Sequence, residues 1–183
     1  MQKNIIVEGL DRCGKDTQIG LLSKYFYTQH NKITQVFHYS KLPFDTVEQH
    51  QSYSHDLYKD MFDTMIDNPS SYRNLIFNRA HLGEAVYAPL YRNYSGDYVF
   101  DIEKNYINEI QNLYMIVLVN DADILFSRDD GHGFSKNSHD IDKEKQRFER
   151  AFELSNIRKK ILINCGNDSI QTIHDKIIDF IND

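Results

Sequence analysis

The sequence has little cysteine: among 183 residues only Cys13 and Cys165 occur, and they lie far apart. Two such cysteines make neither a disulfide scaffold nor a metal-binding cluster. No apolar run approaches the roughly 18 residues that a membrane-spanning helix needs, and the first residues lack the basic and apolar stretches of a secretory signal. Because this length suits a single domain, we expect one domain, 1–183, in the cytoplasm with no membrane partner.

Positive charge is also in short supply. The chain carries 21 Lys and Arg against 27 Asp and Glu, which gives a formal net charge of −6. Proteins that hold long nucleic acids usually need a basic surface to neutralise the phosphates. The charge balance therefore disfavours nucleic acid as a partner without excluding it, since a local basic groove would still serve. It suits small anions that a few placed cations can bind.

What the sequence does contain is a glycine loop between a strand and a helix. Residues 5–7 form a short apolar run, residues 9–15 match the G-x-x-x-x-G-K phosphate-binding pattern, and apolar residues at helical spacing follow. Gly9 and Gly14 let backbone N–H groups turn inward around an anion, and Lys15 brings a positive charge to the β- and γ-phosphates. The predicted ATP-binding residues are Gly9, Leu10, Asp11, Arg12, Cys13, Gly14, Lys15, Asp16 and Thr17.

Residues 8–18, Glu-Gly-Leu-Asp-Arg-Cys-Gly-Lys-Asp-Thr-Gln, resemble the start of thymidylate kinases, particularly those with an arginine inside the phosphate loop. The resemblance implies that Asp11 contacts the sugar 3′-hydroxyl of the monophosphate and that Arg12 stabilises the phosphoryl group in transfer. It also implies ATP as the phosphoryl donor, Mg²⁺ as the cofactor, nucleotide substrates and a homodimer. A phage-type member would act in the cytoplasm of its host.

A second block, residues 78–92, carries the resemblance further. Asn78 and Arg79 end a third apolar strand, at the sheet edge where α/β proteins bind ligands. Thymidylate kinases have an Asp-Arg pair there, whose arginine grips the substrate monophosphate, and phage-type members follow it with Gly-Glu-x-Val-Tyr, as residues 83–87 do. Helical spacing puts Glu84, Tyr87, Tyr91 and Arg92 on one face. The predicted substrate-binding residues are Asp11, Arg79, Glu84, Tyr87 and Arg92.

Two positions depart from the usual pattern. The residue after the loop lysine is normally Ser or Thr, whose hydroxyl binds Mg²⁺, but here it is Asp16, with Thr17 next. Asp16 replaces that hydroxyl as a metal ligand, or Thr17 binds the metal and Asp16 only favours the helix start. Asn78 stands where the family has Asp, so we hypothesise a swap that preserves the charge around Mg²⁺. The metal candidates are Asp16, Thr17 and Asn78.

The remaining segments complete the prediction of fold. Further apolar runs predict strands at 33–39, 75–77, 114–119 and 160–164, with helices that include 45–66 and 97–110. Strands alternating with helices predict an α/β, three-layer P-loop NTPase fold with a five-stranded parallel sheet flanked by helices and a small lid. The glycine-bearing segment 127–140 resembles the lid of nucleotide kinases, where arginine closes over the phosphates. The predicted catalytic residues are Arg12, Lys15 and Arg128.

These features predict transfer of the γ-phosphoryl of ATP to a (deoxy)nucleoside monophosphate, in the manner of thymidylate kinase. Specificity for thymine is in question, because thymidylate kinases hold this base with a Phe and an Arg on the helix before the third strand. Here that helix offers Tyr58 and Phe62 but no arginine. The alternatives are a kinase of hydroxymethylated pyrimidines in DNA, a catalytically inactive nucleotide-binding module, and a deoxynucleoside kinase. The last normally has a glutamate base where His38 and Tyr39 lie.

Overall fold

The computed structural model describes residues 2–39, 44–68, 73–127 and 137–183. Five strands form one parallel sheet in the order β2-β3-β1-β4-β5. The strands are β1 (Asn4–Gly9), β2 (Ile33–His38), β3 (Arg73–Asn78), β4 (Leu113–Val119) and β5 (Lys159–Asn164). The described residues also form seven helices: α1 (Lys15–His30), α2 (Val47–Ile66), α3 (Leu82–Tyr91), α4 (Tyr98–Tyr106), α5 (Ala122–Phe126), α6 (Ser138–Leu154) and α7 (Ile170–Asn182).

The core lies on both sides of this sheet. Every residue of β1 and β4 is buried, as expected for central parallel strands covered on both faces. Right-handed crossovers place α1 on one face and the helices that follow β2, β3 and β4 on the other. Consistent with this, α1 packs on α7, and α3 packs on α6. The predicted three-layer α/β fold with a five-stranded parallel sheet is confirmed.

The boundaries of the elements follow local chemistry. Thr46 and Gln49 form a reciprocal capping box at the start of α2, and Ser169 caps α7. The helix predicted over 97–110 ends at Tyr106, so its last residues were wrongly assigned. The segment after it contains two asparagines, Asn108 and Asn112, the second with φ 52°, and asparagine favours turns and left-handed backbone.

The topology leaves a crevice at the carboxyl edge of the sheet. The chain crosses from β1 to β2 over one face of the sheet, and it crosses from β3 to β4 over the opposite face. Adjacent strands whose connections diverge in this way form the ligand-binding crevice of open α/β sheets. The residues that follow β1 and β3 therefore flank one site. No helix in the described ranges is long and apolar enough to cross a membrane.

Candidate functional site

The loop between β1 and α1 has the backbone of an anion-binding cradle. Gly9, Arg12 and Gly14 have φ values of 129°, 66° and 82°, which turn successive N–H groups toward one side. At Gly9 a side chain is sterically impossible without movement, because a Cβ would lie 1.9 Å from the carbonyl oxygen of Leu118. The loop ends at the first turn of α1, where the helix dipole also favours an anion.

Lys15 is buried inside this loop. Its Nζ donates to the carbonyl oxygens of Gly9 at 2.9 Å and Leu10 at 2.7 Å, and it lies 3.8 Å from the carboxylate of Asp11. Burial lowers the pKa of Lys15, while the charge of Asp11 acts in the opposite direction. The ammonium is therefore held in the curl of the loop, where a phosphate would meet it.

Arg79 reaches the same loop from the end of β3. Its Nη2 donates to Asp11 Oδ1 at 2.9 Å, so an ion pair joins the two sides of the crevice. Arg79 has φ 64°, an unfavourable conformation for a residue with a side chain, and its own N–H is bonded to the carbonyl of Val7. The side chain is 38% exposed, so the guanidinium borders open space.

The two off-pattern positions are in direct contact. Asn78 Nδ2 donates to Asp16 Oδ1 at 2.6 Å, although the residues are 62 positions apart. Asn78 is buried at the end of β3, and Asp16 is exposed in the first turn of α1. Thr17 is exposed beside it. The structure thus brings Asp16 and Asn78 together at the mouth of the loop, and Thr17 follows Asp16 in the first turn of α1.

Glu8 was not predicted from the sequence as part of the site. It is buried at the end of β1, and its Oε1 accepts hydrogen bonds from the backbone N–H groups of Ala80 at 2.7 Å and Gly83 at 3.1 Å. Ala80 lies just before α3 and Gly83 lies in its first turn, where backbone N–H groups have no partner within the helix. Glu8 therefore fixes the segment that carries Arg79 against the phosphate loop.

Glu84, in the first turn of α3, forms an ion pair with Arg92, the residue that follows the helix. Glu84 is fully buried; its Oε1 accepts from the hydroxyls of Tyr94 at 2.6 Å and Tyr98 at 2.9 Å, and its Oε2 accepts from Arg92 at 3.2 Å. Glu84 thus contacts Arg92 rather than open space, which favours an indirect role over the predicted direct contact with substrate.

The tyrosines of α3 face the loop and α6. Tyr87 is buried near Asp11 and Arg79, and burial raises its pKa well above the ordinary value. Tyr91 stacks on Tyr87, and its hydroxyl donates to Glu144 at 2.5 Å. Glu144 is buried, although it was not predicted from the sequence as part of the site. Its i, i+4 spacing from Phe148 was the available signal.

A second buried network supports α3 from behind. His81 Nε2 and Glu103 Oε2 lie 2.7 Å apart, and Glu103 also accepts from Ser155 at 2.7 Å and from the backbone of Asn156. Burial disfavours the charge on Glu103, but the hydrogen bonds from His81, Ser155 and Asn156 outweigh it and lower its pKa. The network ties the start of α3 to α4 and to the end of α6.

Other predicted residues have simpler outcomes. Leu10 and Cys13 are buried, so they contribute backbone rather than side chain to the loop. Phe62 is fully buried between His81 and Tyr106, which places it in the core. Arg128 and most of the predicted lid lie outside the described residues.

No protein-family model and no curated protein matches the sequence. Solved structures do. The YorR protein of Bacillus subtilis, in a complex with phosphorylated GDP, is 21% identical with a TM-score of 0.69, over 98% of this chain and 96% of that one. Thymidylate kinase from Candida albicans is 15% identical with a TM-score of 0.66, over 99% and 91%. Thymidylate kinase from Ehrlichia chaffeensis is 14% identical with a TM-score of 0.65, over 97% of each chain.

These similarities extend over nearly the whole chain but at low identity, so they bear on the fold. They agree with the α/β fold described above. The chain has the α/β P-loop fold of thymidylate kinases and of the YorR protein.

Proposed function

We propose that the protein is an ATP-dependent nucleoside monophosphate kinase, which moves the γ-phosphoryl of ATP to a (deoxy)nucleoside monophosphate and yields the diphosphate. The observation that carries the proposal is the 2.9 Å contact between Asp11 and Arg79. It joins a loop suited to a triphosphate with an arginine suited to a second phosphate across one crevice. The fold is shared with two thymidylate kinases and with a protein that holds phosphorylated GDP, which supports nucleotide kinase activity in general.

In the proposed reaction, the bond between the γ-phosphorus and the β–γ bridging oxygen breaks. A bond forms between that phosphorus and an oxygen of the acceptor phosphate, and ADP leaves with the electron pair. The acceptor phosphate is largely ionised near neutral pH, because its second pKa is about 6. No side chain need remove a proton, which fits a crevice lined by cations and distinguishes this reaction from attack by a neutral hydroxyl.

The chain's residues would act mainly by position and charge. The loop N–H groups and Lys15 would hold the β- and γ-phosphates, Arg12 would offset charge on the phosphoryl group in transfer, and Arg79 would orient the acceptor phosphate. When substrate binds, Asp11 would release Arg79 and accept a hydrogen bond from a sugar hydroxyl instead. When bound, Mg²⁺ would neutralise charge on the phosphates, and Asp16 or Thr17, beside Asn78, would hold it.

Arg92 would contact the acceptor base. Its Nη1 donates to Glu84 in α3, the helix that follows Arg79, so one continuous segment would carry both the phosphate-binding and the base-binding arginine. A guanidinium only donates hydrogen bonds, so it suits O4 of thymine and uracil or O6 of guanine, where cytosine and adenine carry an amino group that also donates. We therefore expect thymine, uracil or guanine nucleotides to be preferred over those of cytosine and adenine.

The test is ADP formation with Mg²⁺ and ATP over a panel of deoxynucleoside monophosphates, free nucleosides, and DNA with and without hydroxymethyluracil. The proposal predicts turnover on monophosphates alone. Turnover should be faster with thymine, uracil or guanine nucleotides than with those of cytosine or adenine. Turnover only on modified DNA would instead identify a kinase of hydroxymethylated pyrimidines in DNA. ATP binding without turnover on any acceptor would identify an inactive nucleotide-binding module.

A further inference from the structure

We infer that Asp16 and Asn78 form one divalent-cation site, in which the Asp16 carboxylate binds the cation directly and the Asn78 amide orients that carboxylate. The inference deepens the proposed function and rests on it only for the phosphate loop as the site of ATP. It assigns this chain a carboxylate where such loops usually supply a hydroxyl, and an amide where the neighbouring strand usually supplies a carboxylate.

The direction of the Asn78 hydrogen bond is fixed by chemistry. A carboxylate only accepts, so the nitrogen of the amide, and not its oxygen, is the atom that meets Asp16. That oxygen, Oδ1 of Asn78, is buried and has no hydrogen-bond partner among the described residues. A buried acceptor without a partner is unfavourable. A hydrated cation held beside Asp16 would supply the donor that this oxygen lacks.

The donor set suits magnesium shared with a nucleotide. Mg²⁺ prefers oxygen ligands, keeps several waters, and is usually held by one or two carboxylates together with substrate phosphates. In the described ranges, no group of three or more His, Cys, Asp and Glu could hold a metal by itself. Asp16 directly follows Lys15, the residue placed to meet the β- and γ-phosphates. A cation on Asp16 would therefore lie beside those phosphates.

The contact also bears on the alternative in which Asp16 only complements the helix dipole. A dipole-complementing carboxylate requires only the first turn of a helix, whereas Asp16 is clamped at 2.6 Å by a buried residue from another strand. Such support of a ligand by a neighbouring polar group is typical of metal sites. Thr17, the rival ligand, is exposed in the same turn and can be tested separately.

The test measures metal binding directly. Manganese binding would be followed by electron paramagnetic resonance in the presence of ATP, and ATP binding by calorimetry with Mg²⁺ and with EDTA. The variants are Asp16→Ser, Asn78→Asp, their combination, and Thr17→Val. Asp101→Ser is the matched control, because Asp101 is also an exposed acid in a first helical turn, that of α4.

We expect Asp16→Ser, which removes the ligand itself, to weaken manganese binding by at least the roughly 10–100-fold that loss of a supporting partner costs, while ATP affinity in EDTA is kept. The double variant should bind manganese more tightly than Asp16→Ser, because Asn78→Asp returns a carboxylate to the site. Thr17→Val and Asp101→Ser should bind manganese as tightly as the wild type.

Unchanged manganese binding in Asp16→Ser would overturn the inference. So would loss in Thr17→Val instead, or a double variant that binds no more tightly than Asp16→Ser. Each of these results leaves the test of phosphoryl transfer standing. If the variants bind manganese as expected but the wild type transfers no phosphoryl group, the cation site is supported and the proposed function is rejected. Failure of the wild type to bind ATP in any condition would reject both.

Discussion

Arg79→Gln removes the cation that links the phosphate loop to the acceptor side of the crevice. Glutamine keeps the Cβ and the polar end but loses the charge and the fork of donors. Hydrogen bonds to charged groups contribute about 1.5–3 kcal/mol, and each 1.36 kcal/mol is a factor of ten in rate. We therefore expect kcat/KM for the monophosphate to fall by about 10- to 150-fold, with the KM for ATP essentially unchanged.

The assay is steady-state ADP formation with the concentration of one substrate varied at a time. Arg150→Gln is the matched control, because Arg150 forms two 2.9 Å hydrogen bonds to Asp97 on the surface, away from the loop. Thermal unfolding of both variants separates a loss of fold from a loss of binding. An unchanged kcat/KM for the acceptor, or an equal loss for ATP and acceptor, would refute the assignment of Arg79.

Three further predictions concern the support of the site. Glu8→Ala should destabilise the protein to urea by about 2 kcal/mol or more, because two buried N–H groups lose their acceptor, whereas Glu8→Gln keeps an acceptor and should stay close to wild type. Gly9→Ala should cost about 3 kcal/mol or more in the same assay, since strained backbone and the clash with Leu118 add; a near-neutral result would contradict the geometry. Because Glu103 has a lowered pKa, its contribution to stability is present above the unfolded pKa of about 4.3 and is lost as pH falls through the folded pKa. The stability difference between wild type and Glu103→Gln should therefore shrink from pH 6 to pH 3, and a constant difference would show that the charge is unimportant.

The fold and the loop were predictable because their signals are local. Strand runs, helical spacing and the glycine pattern are each read within about ten residues, and five strands with a phosphate loop follow from them. A swap of charge between Asp16 and Asn78 was hypothesised from two coincident departures, and the structure places the two residues in contact. Helix ends were less predictable, as the early end of α4 illustrates.

The support of the site was not predictable, because it depends on contacts far apart in the chain. Glu8 follows an apolar run and has no local feature that reveals its hydrogen bonds to residues 80 and 83. Glu84 has the spacing of a substrate-lining residue, yet tyrosines from beyond α3 enclose it. Charged residues were expected at the surface, and here several are buried because distant partners satisfy them.

The most direct test of the central claim is the fate of the γ-phosphoryl group. ATP labelled at the γ-phosphate would be incubated with Mg²⁺, the protein and a mixture of deoxynucleoside monophosphates, and the labelled products would be separated and identified. The account predicts that the label appears in a deoxynucleoside diphosphate in step with ADP formation. Label found only in inorganic phosphate, or retained in ATP, would contradict it.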